Sequence, residues 1–330
     1  MKKIIANPFT PIPKSNKSHV KGWSIIWQQR LEGCEIADSK TDLSLYDEIY
    51  IDHGVNFSGS LNLFGGFNDQ VYAKCEQLIK AWKNGAEIIS LDWDVTDCDY
   101  VGQIEKRYGA KTTSKKLDWD FLDDIEGCLN SSETLGMSQL INCNKTMIGD
   151  SHAVAYSLPN QKIFRENGRT LHYCISKGVY NYILDTLSSR RRFVPSNEID
   201  LCLGSVDVRF HALRLGIDPQ EMAKQYSDQI IEAEDKLECV INPCAPVPIE
   251  FEERRIPKSG MYEGKPFYGS RYDRYEWTMS FINYLDNYHN VVMPPSDWYE
   301  MHPGEYAHGI MEMTSSVHIA PINYRSVLGW

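Results

Sequence analysis

DEIYID at Asp47–Asp52 and AEIISL at Ala86–Leu91 are two short apolar runs. Between them lie the loop HGVNFSGSLNLFGG (His53–Gly66) and an amphipathic stretch from Asn68 to Asn84, closed by Gly85. The runs have the length of buried strands, and the stretch from Asn68 repeats its apolar residues at helical spacing. Strand, helix, strand over this distance predicts a parallel α/β unit. Ligands of such sheets bind outside the carboxyl ends of the strands. That rule singles out His53, Asn56 and Ser58 after the first run and Asp92 and Asp94 after the second.

Working outward, Asp118–Gln139 is polar and reads as helix or loop, and a boundary falls near Asn142. The expected domains are 1–142 and 143–330. A second α/β series follows the boundary. Thr146–Ile148, Leu171–Ile175, Ile199–Leu203, Leu237–Ile241 and Asn290–Met293 are its strand candidates, and Val179–Arg190 and Pro219–Glu238 its helices. Pro219 suits a first helical turn, where its missing N–H costs nothing. Cys244–Arg274 is rich in proline, glycine and charge and reads as a long excursion. The fold expectation is α/β throughout: an N-terminal Rossmann-like or flavodoxin-like parallel sheet and a second, three-layer α/β/α domain.

The strongest chemical signal is GDSHA at Gly149–Ala153. A short strand delivers a sharp Gly-Asp-Ser turn that exposes a hydroxyl and aims backbone N–H groups at one point, as an oxyanion needs. Asp and Ser are also favoured helix caps, so the tripeptide alone also reads as an ordinary N-cap. Three further elements follow in order: Gly178 after LHYCISK, then GSVD at Gly204–Asp207, then SSVH at Ser315–His318. Together, over residues 143–330, they resemble the SGNH (GDSL-like) hydrolase family. That family carries a GDS nucleophile, an oxyanion glycine, a GxND element and a C-terminal DxxH.

The resemblance implies Ser151 as nucleophile, the N–H groups of Ser151 and Gly178 as oxyanion donors, Gly204 and Asp207 as the ends of GxND, and His318 as base. Two positions depart from the family pattern. Val206 stands where the oxyanion asparagine belongs, and Ser315 where the histidine's acid belongs. Arg209 or His211 are candidate replacements for the donor, and Asp207 or Asp297 for the acid. His302, five residues after Asp297, is a rival base, and Asp150 and His152 flank the nucleophile. Nucleophile–base logic needs a histidine that takes the serine proton and later returns it to the leaving group.

Asp92 and Asp94 alternate on an extended segment, which puts two carboxylates on one face, suited to Mg²⁺ or Mn²⁺. In that reading His53–Gly66 wraps a nucleotide-activated donor and the second domain binds a nucleotide, DNA or glycan acceptor. The loop lacks both the GxGxxG and the Walker spacing. Arg190–Arg192 close a helix, where cations favour the dipole. The hydrolase reading requires no cofactor.

The 330 residues are 42% hydrophobic and 24% charged, with a net charge of −11. Disorder and coiled coil are excluded as the main architecture. The acidic balance argues against a nonspecific grip on nucleic acid, which needs clustered Lys and Arg. No run approaches a membrane span, and MKKIIANPFTPIPK lacks the apolar core of a secretory signal. The nine cysteines are odd in number, without a CxxC, and mostly beside apolar residues. They suggest reduced thiols in a cytoplasmic protein. The sequence thus leads to a serine esterase or acyl transferase acting on an ester of a sugar or nucleoside-like substrate. The alternatives are a group transferase and a non-catalytic binding protein on a degenerate SGNH fold.

Overall fold

The computed structural model describes residues 1–9, 22–52, 68–92, 119–136, 145–166, 168–188, 197–247, 256, 263–299, 310–312 and 317–330. Contacts divide the chain into two compact units, Met1–Asn142 and Cys143–Trp330. Both are α/β.

The first unit is built on strands β1 (Lys3–Ala6), β2 (Glu35–Ile36), β3 (Glu48–Asp52), β4 (Glu87–Asp92) and β5 (Glu133–Gly136), with helices α1 (Gly22–Gln28), α2 (Asp69–Lys83) and α3 (Trp119–Asn130). The sheet order is β2-β1-β3-β4-β5, every pair parallel, which is the flavodoxin-like arrangement. Parallel strands need crossovers that cover both faces, so the central strand is buried along its whole length; β3 is. Ile49 pairs with Ile4 on one side and Ile88 on the other. Helix α2 begins where Asn68 accepts the N–H groups of Gln70 and Val71, and has Lys80 and Lys83 in its last turn. Gly85, at φ 90°, then turns the chain back into the sheet. The apolar face of α2 packs Val71, Cys75 and Leu78 against Ile49, Ile51 and α3 residues Ile125 and Leu129.

The second unit carries β6 (Lys145–Gly149), β7 (Gln161–Arg165), β8 (Glu198–Cys202) and β9 (Val240–Pro243). Their order is β7-β6-β8-β9, again all parallel. Its helices are α4 (Ala153–Tyr156), α5 (Leu171–Lys177), α6 (Val179–Ser188), α7 (Ser205–Phe210), α8 (Pro219–Leu237), α9 (Arg271–Asp286) and α10 (Arg325–Leu328). Pro219 is at the start of α8, behind an Asp218 cap that accepts two backbone N–H groups. Helices α8 and α9 contribute Met222, Tyr226, Ile230, Trp277 and Phe281 to a core shared with Ile148, Ile199 and Leu201.

Two expectations are corrected here. Leu171–Ile175 is the body of helix α5, not a strand. Thr170 caps it by accepting the Tyr173 N–H, a start signal that outweighs the short apolar run. Asn290–Met293 contributes only the parallel bridge Val292–Cys244.

Polar pairing inside the second unit is as specific as its apolar core. Asp200, 2% exposed in β8, accepts from Gln161 Nε2 at 2.6 Å, Asn242 Nδ2 at 2.9 Å and Arg325 Nη1 at 3.1 Å. Arg325 also donates through Nε to Trp330 O. The Trp330 ring meets Tyr156 and Trp298 edge-on. This anchor fastens the C-terminal segment to the sheet. Removing one member of a buried charge pair costs about 3–5 kcal/mol. Two remaining donors to Asp200 lower that, so Arg325→Met should destabilise the second unit by about 2 kcal/mol. A urea titration of the full chain would read this as a lower midpoint for one of two transitions.

Candidate functional site

Two turns converge at the carboxyl edge of the second sheet. From β6 the chain passes to β7 on one side, and β8 lies on the other, so the ends of β6 and β8 form the topological switch point where α/β ligands bind. Gly149-Asp150-Ser151-His152 follows β6, and Gly204-Ser205-Val206-Asp207 follows β8. Gly149 is required there: a Cβ on it would lie 2.2 Å from the Cys202 carbonyl oxygen. The Asp150 N–H donates to that same oxygen at 3.0 Å, which fixes the turn.

Ser151 is half-buried at the head of the turn. Among the described residues neither its N–H nor its Oγ has a hydrogen-bond partner, so both are available to a ligand. Its two neighbours pair with each other, while Asp150 Oδ2 is buried without a hydrogen-bond partner. Asp150 Oδ1 accepts the His152 N–H at 2.8 Å and lies 2.9 Å from His152 Nδ1, while His152 Nε2 lies 2.9 Å from Val317 O. Burial alone would raise the Asp150 pKa. The His152 contacts and the Arg209 charge overcome it and hold the carboxyl below its usual range.

The Val317 contact brings in the C-terminal segment. Met311 and Ile319 form an antiparallel bridge, reinforced by Glu312 N–H to His318 O at 3.0 Å and Ala320 N–H to Ile310 O at 2.8 Å. His318 follows Val317, and its ring centroid is 5.4 Å from that of His152. Its Nδ1 is 3.9 Å from Glu312 Oε1, whose side chain is 8% exposed.

Glu312 was missed by the sequence reading, which looked three residues before the histidine and found Ser315. A bridge partner does not follow from local spacing. The available signal was that no other acidic residue follows Glu305. Asp297 is not seen as the acid orienting His318: it is exposed on the 3-10 turn Ser296–Tyr299, and among the described residues the ion pair of His318 is with Glu312.

Asp207 is not that acid either. Its oxygens accept the N–H groups of Leu171 at 2.7 Å and His172 at 3.1 Å, so it caps helix α5 from α7. Burial is the main cause that pushes its carboxyl up to about 6, and the Asp150 charge adds to this against the pull of the two N–H groups. The folded-state pKa lies above the ordinary 3.8, so the folded state binds this proton more tightly than the unfolded chain. The contribution of Asp207 to stability is therefore greatest below pH 3.8 and is lost as pH rises through about 6. The expected loss is about 3 kcal/mol at most. Asp207→Asn should flatten this pH dependence. The measurement is unfolding free energy against pH for both proteins; parallel curves would contradict it.

Gly178 does not serve as an oxyanion donor in this structure. It is the C-cap of α5 at φ 86°, and its N–H donates to Ile175 O at 3.1 Å. Gly204, at φ 102°, caps α7 with Pro246 Cγ 3.3 Å from where a Cβ would be. Val206 is buried. Arg209 is buried with Nε donating to Ser205 O, and its charge reaches Asp150. His211 ends α7, with its pKa lowered by burial and by the nearby His172, Arg214 and Lys265.

A Ser–His hydrogen bond exists elsewhere, between Ser227 Oγ and His289 Nε2 at 2.8 Å. Ser227 is 3% exposed in the middle of α8, so this pair is structural. His302, His53, Asn56, Ser58 and Asp94 lie outside the described residues, as do Ser315 and Arg190–Arg192. Asp92 ends strand β4. Among the described residues no cluster of three or more His, Cys, Asp or Glu is arranged to hold a metal. The described cysteines Cys34, Cys75, Cys128, Cys174, Cys202, Cys239 and Cys244 are free thiols. No described helix is long and apolar enough to cross a membrane.

No family model and no curated protein matches the sequence. Two solved structures are similar in part. An acetyl xylan esterase, AlAXEase, has 15% identity over 45% of this chain and 76% of its own, with a TM-score of 0.29. A Streptococcus pneumonia protein assigned to platelet activating factor has 16% identity over 57% of this chain and 81% of its own, with a TM-score of 0.38.

Proposed function

We propose that the second unit is a serine esterase of SGNH type, with Ser151 as nucleophile, His318 as base and Glu312 as the acid that orients it. The observation that carries this reading is the pairing of a serine at the sheet's switch point with a histidine–carboxylate couple on a segment tied to the same turn. In the reaction Ser151 Oγ attacks the ester carbonyl carbon and its proton passes to His318. The alcohol leaves with that proton, and water then hydrolyses the acyl-serine by the same route. The Ser151 N–H supplies one oxyanion donor. With Val206 in place of the family's asparagine, a second donor at that position is missing, and loss of one such donor typically costs about 10²–10³ in rate. A slow esterase is therefore expected, acting on an acyl ester of a sugar or nucleoside-like alcohol. Its 3.9 Å histidine–carboxylate spacing exceeds a hydrogen bond, and such contacts tighten when substrate binds.

The test is fluorophosphonate treatment of the full chain, with the adduct located by peptide mass spectrometry, alongside hydrolysis of simple acetyl esters. An adduct on Ser151 is expected, and none on buried Ser227. Absence of both adduct and hydrolysis would refute the esterase and favour a nucleotide-dependent transferase or a binding protein. A melting-temperature rise with a nucleotide sugar and Mg²⁺ or Mn²⁺ would then identify the transferase.

A further inference from the structure

Helix α9 carries aromatic residues on both of its faces. Trp277 and Phe281 belong to the core of the second unit. Tyr272 in its first turn and Tyr288 just past its end are 57% and 61% exposed. A core-facing helix needs only one apolar stripe, so the outward rings are not accounted for by the core. They come in pairs: Tyr272 meets Tyr275 with ring centroids 6.4 Å apart, and Tyr284 meets Tyr288 at 5.3 Å.

A groove of about 490 Å³ lies along the outer side of α9, with Gln220 of α8 in its wall. That volume is within the roughly 300–1,000 Å³ of small-ligand sites. Tyr275 and Tyr284 both line it, one from each ring pair. Nine residues of helix separate them, or about 14 Å along the axis. The stretch between them is polar but uncharged. Among the described residues the side chains of Gln220, Ser280 and Asn283 make no hydrogen bond and are open to a ligand. The one charged lining residue, Glu276, accepts from the Tyr272 hydroxyl.

We propose that this groove binds a neutral glycan chain. Amide and hydroxyl side chains both donate and accept, as sugar hydroxyls do. Tyrosine rings offer apolar faces with a polar tip to the C–H faces of a pyranose. The other ligand classes fit less well. No Lys or Arg lines the groove, and Glu221 and Asp228 stand near Tyr284, so a polyanion meets only like charge. A docking peptide helix asks for a continuous apolar strip, and Met279 is the one apolar side chain in the lining besides the two tyrosines. None of the lining residues belongs to the Ser151 site, so the inference goes beyond the esterase reading and does not depend on it.

The experiment is affinity electrophoresis of the full-length protein in gels containing hydroxyethylcellulose, xylan, glucomannan or dextran. Calorimetric titration with the hexasaccharide of whichever glycan retards it gives the Kd. Retardation by at least one glycan is expected. Tyr275→Ala and Tyr284→Ala should each weaken binding at least ten-fold, and Tyr284→Phe, which keeps the ring face, should bind within about three-fold of wild type. Asn283→Arg fills the groove from an exposed position, so it tests the site without touching the core; it should abolish retardation at an unchanged urea midpoint. Ser151→Ala should bind as wild type, whether or not wild type takes a fluorophosphonate label. No retardation by any of the four glycans would overturn the proposal. So would glycan binding that survives in both Asn283→Arg and Tyr284→Ala, or that is lost in Ser151→Ala. Tyrosine-dependent binding of spermine without glycan binding would assign the groove to a cation instead, and a dimer dissociated by Asn283→Arg without glycan binding would assign it to a second copy of the chain; either result overturns the glycan.

Discussion

Ser151→Ala should lose fluorophosphonate labelling and esterase turnover altogether, His318→Ala should lose about 10³-fold or more, and Glu312→Gln should lose an intermediate amount. The ordering follows from the geometry. The serine hydroxyl is the atom that forms the bond. The histidine supplies the base without which a hydroxyl is a poor nucleophile at neutral pH. Glu312 acts on the reaction only through His318 Nδ1, at 3.9 Å. Glu312→Gln keeps the shape and removes the charge, so its loss should appear in kcat more than in KM. Asp297→Asn is the matched control: Asp297 is exposed on its 3-10 turn, and its variant should match wild type. If Asp297→Asn loses activity while Glu312→Gln keeps it, the base and its acid are misassigned. Labelling that survives in His318→Ala would move the base to His302.

The sequence made the alternation of strands and helices readable where local signals were undisturbed. Glu48–Asp52 of DEIYID and Ile88–Leu91 of AEIISL are buried without a break in parallel strands, as two covered faces demand. Asn68 and Gly85 mark the ends of α2 as an N-cap and a left-handed turn should. LHYCISK misled because a short apolar run such as Leu171–Ile175 satisfies either period; the decision lay with Thr170 and with Asp207, thirty-six residues downstream of Leu171, which receives the first N–H groups of the helix. The site divided in the same way. Gly149–His152 is contiguous and visible as a motif. The contacts Glu312–His318 and His152–Val317 depend on a bridge and on a separation of 165 residues, which no spacing rule encodes. Strands β1, β2, β5 and β7 were not read from the sequence; β2 is only two residues long, and β7 carries three polar residues in five.

The other large effect is expected from one methyl group at Gly149. Gly149 and Cys202 are register partners in β6 and β8. An added Cβ would meet Cys202 O at 2.2 Å, Cys202 Cβ at 2.8 Å and Cys202 C at 2.9 Å. Two of these are backbone atoms in a buried strand, so relief requires the strand ends to separate. Separation breaks the Asp150 N–H to Cys202 O bond and lifts the whole Asp150–His152 arrangement with it. Gly149→Ala should therefore cost about 3 kcal/mol or more, in the range of overpacked cores with a lost buried hydrogen bond. In a urea titration of the full chain, the transition of the second unit should shift or vanish while that of the first remains. Gly127 shows why the identity of the obstructing atom decides the size of the effect. A Cβ there would lie 2.9 Å from Trp82 Cη2, the far rim of a side chain that can rotate away. Removing a helical glycine also gains roughly 0.5–1 kcal/mol, so Gly127→Ala should leave stability nearly unchanged. If Gly149→Ala instead unfolds at the wild-type midpoint and still labels at Ser151, the strand ends part without cost, and the turn that presents the nucleophile is not held by the close approach of β6 to β8.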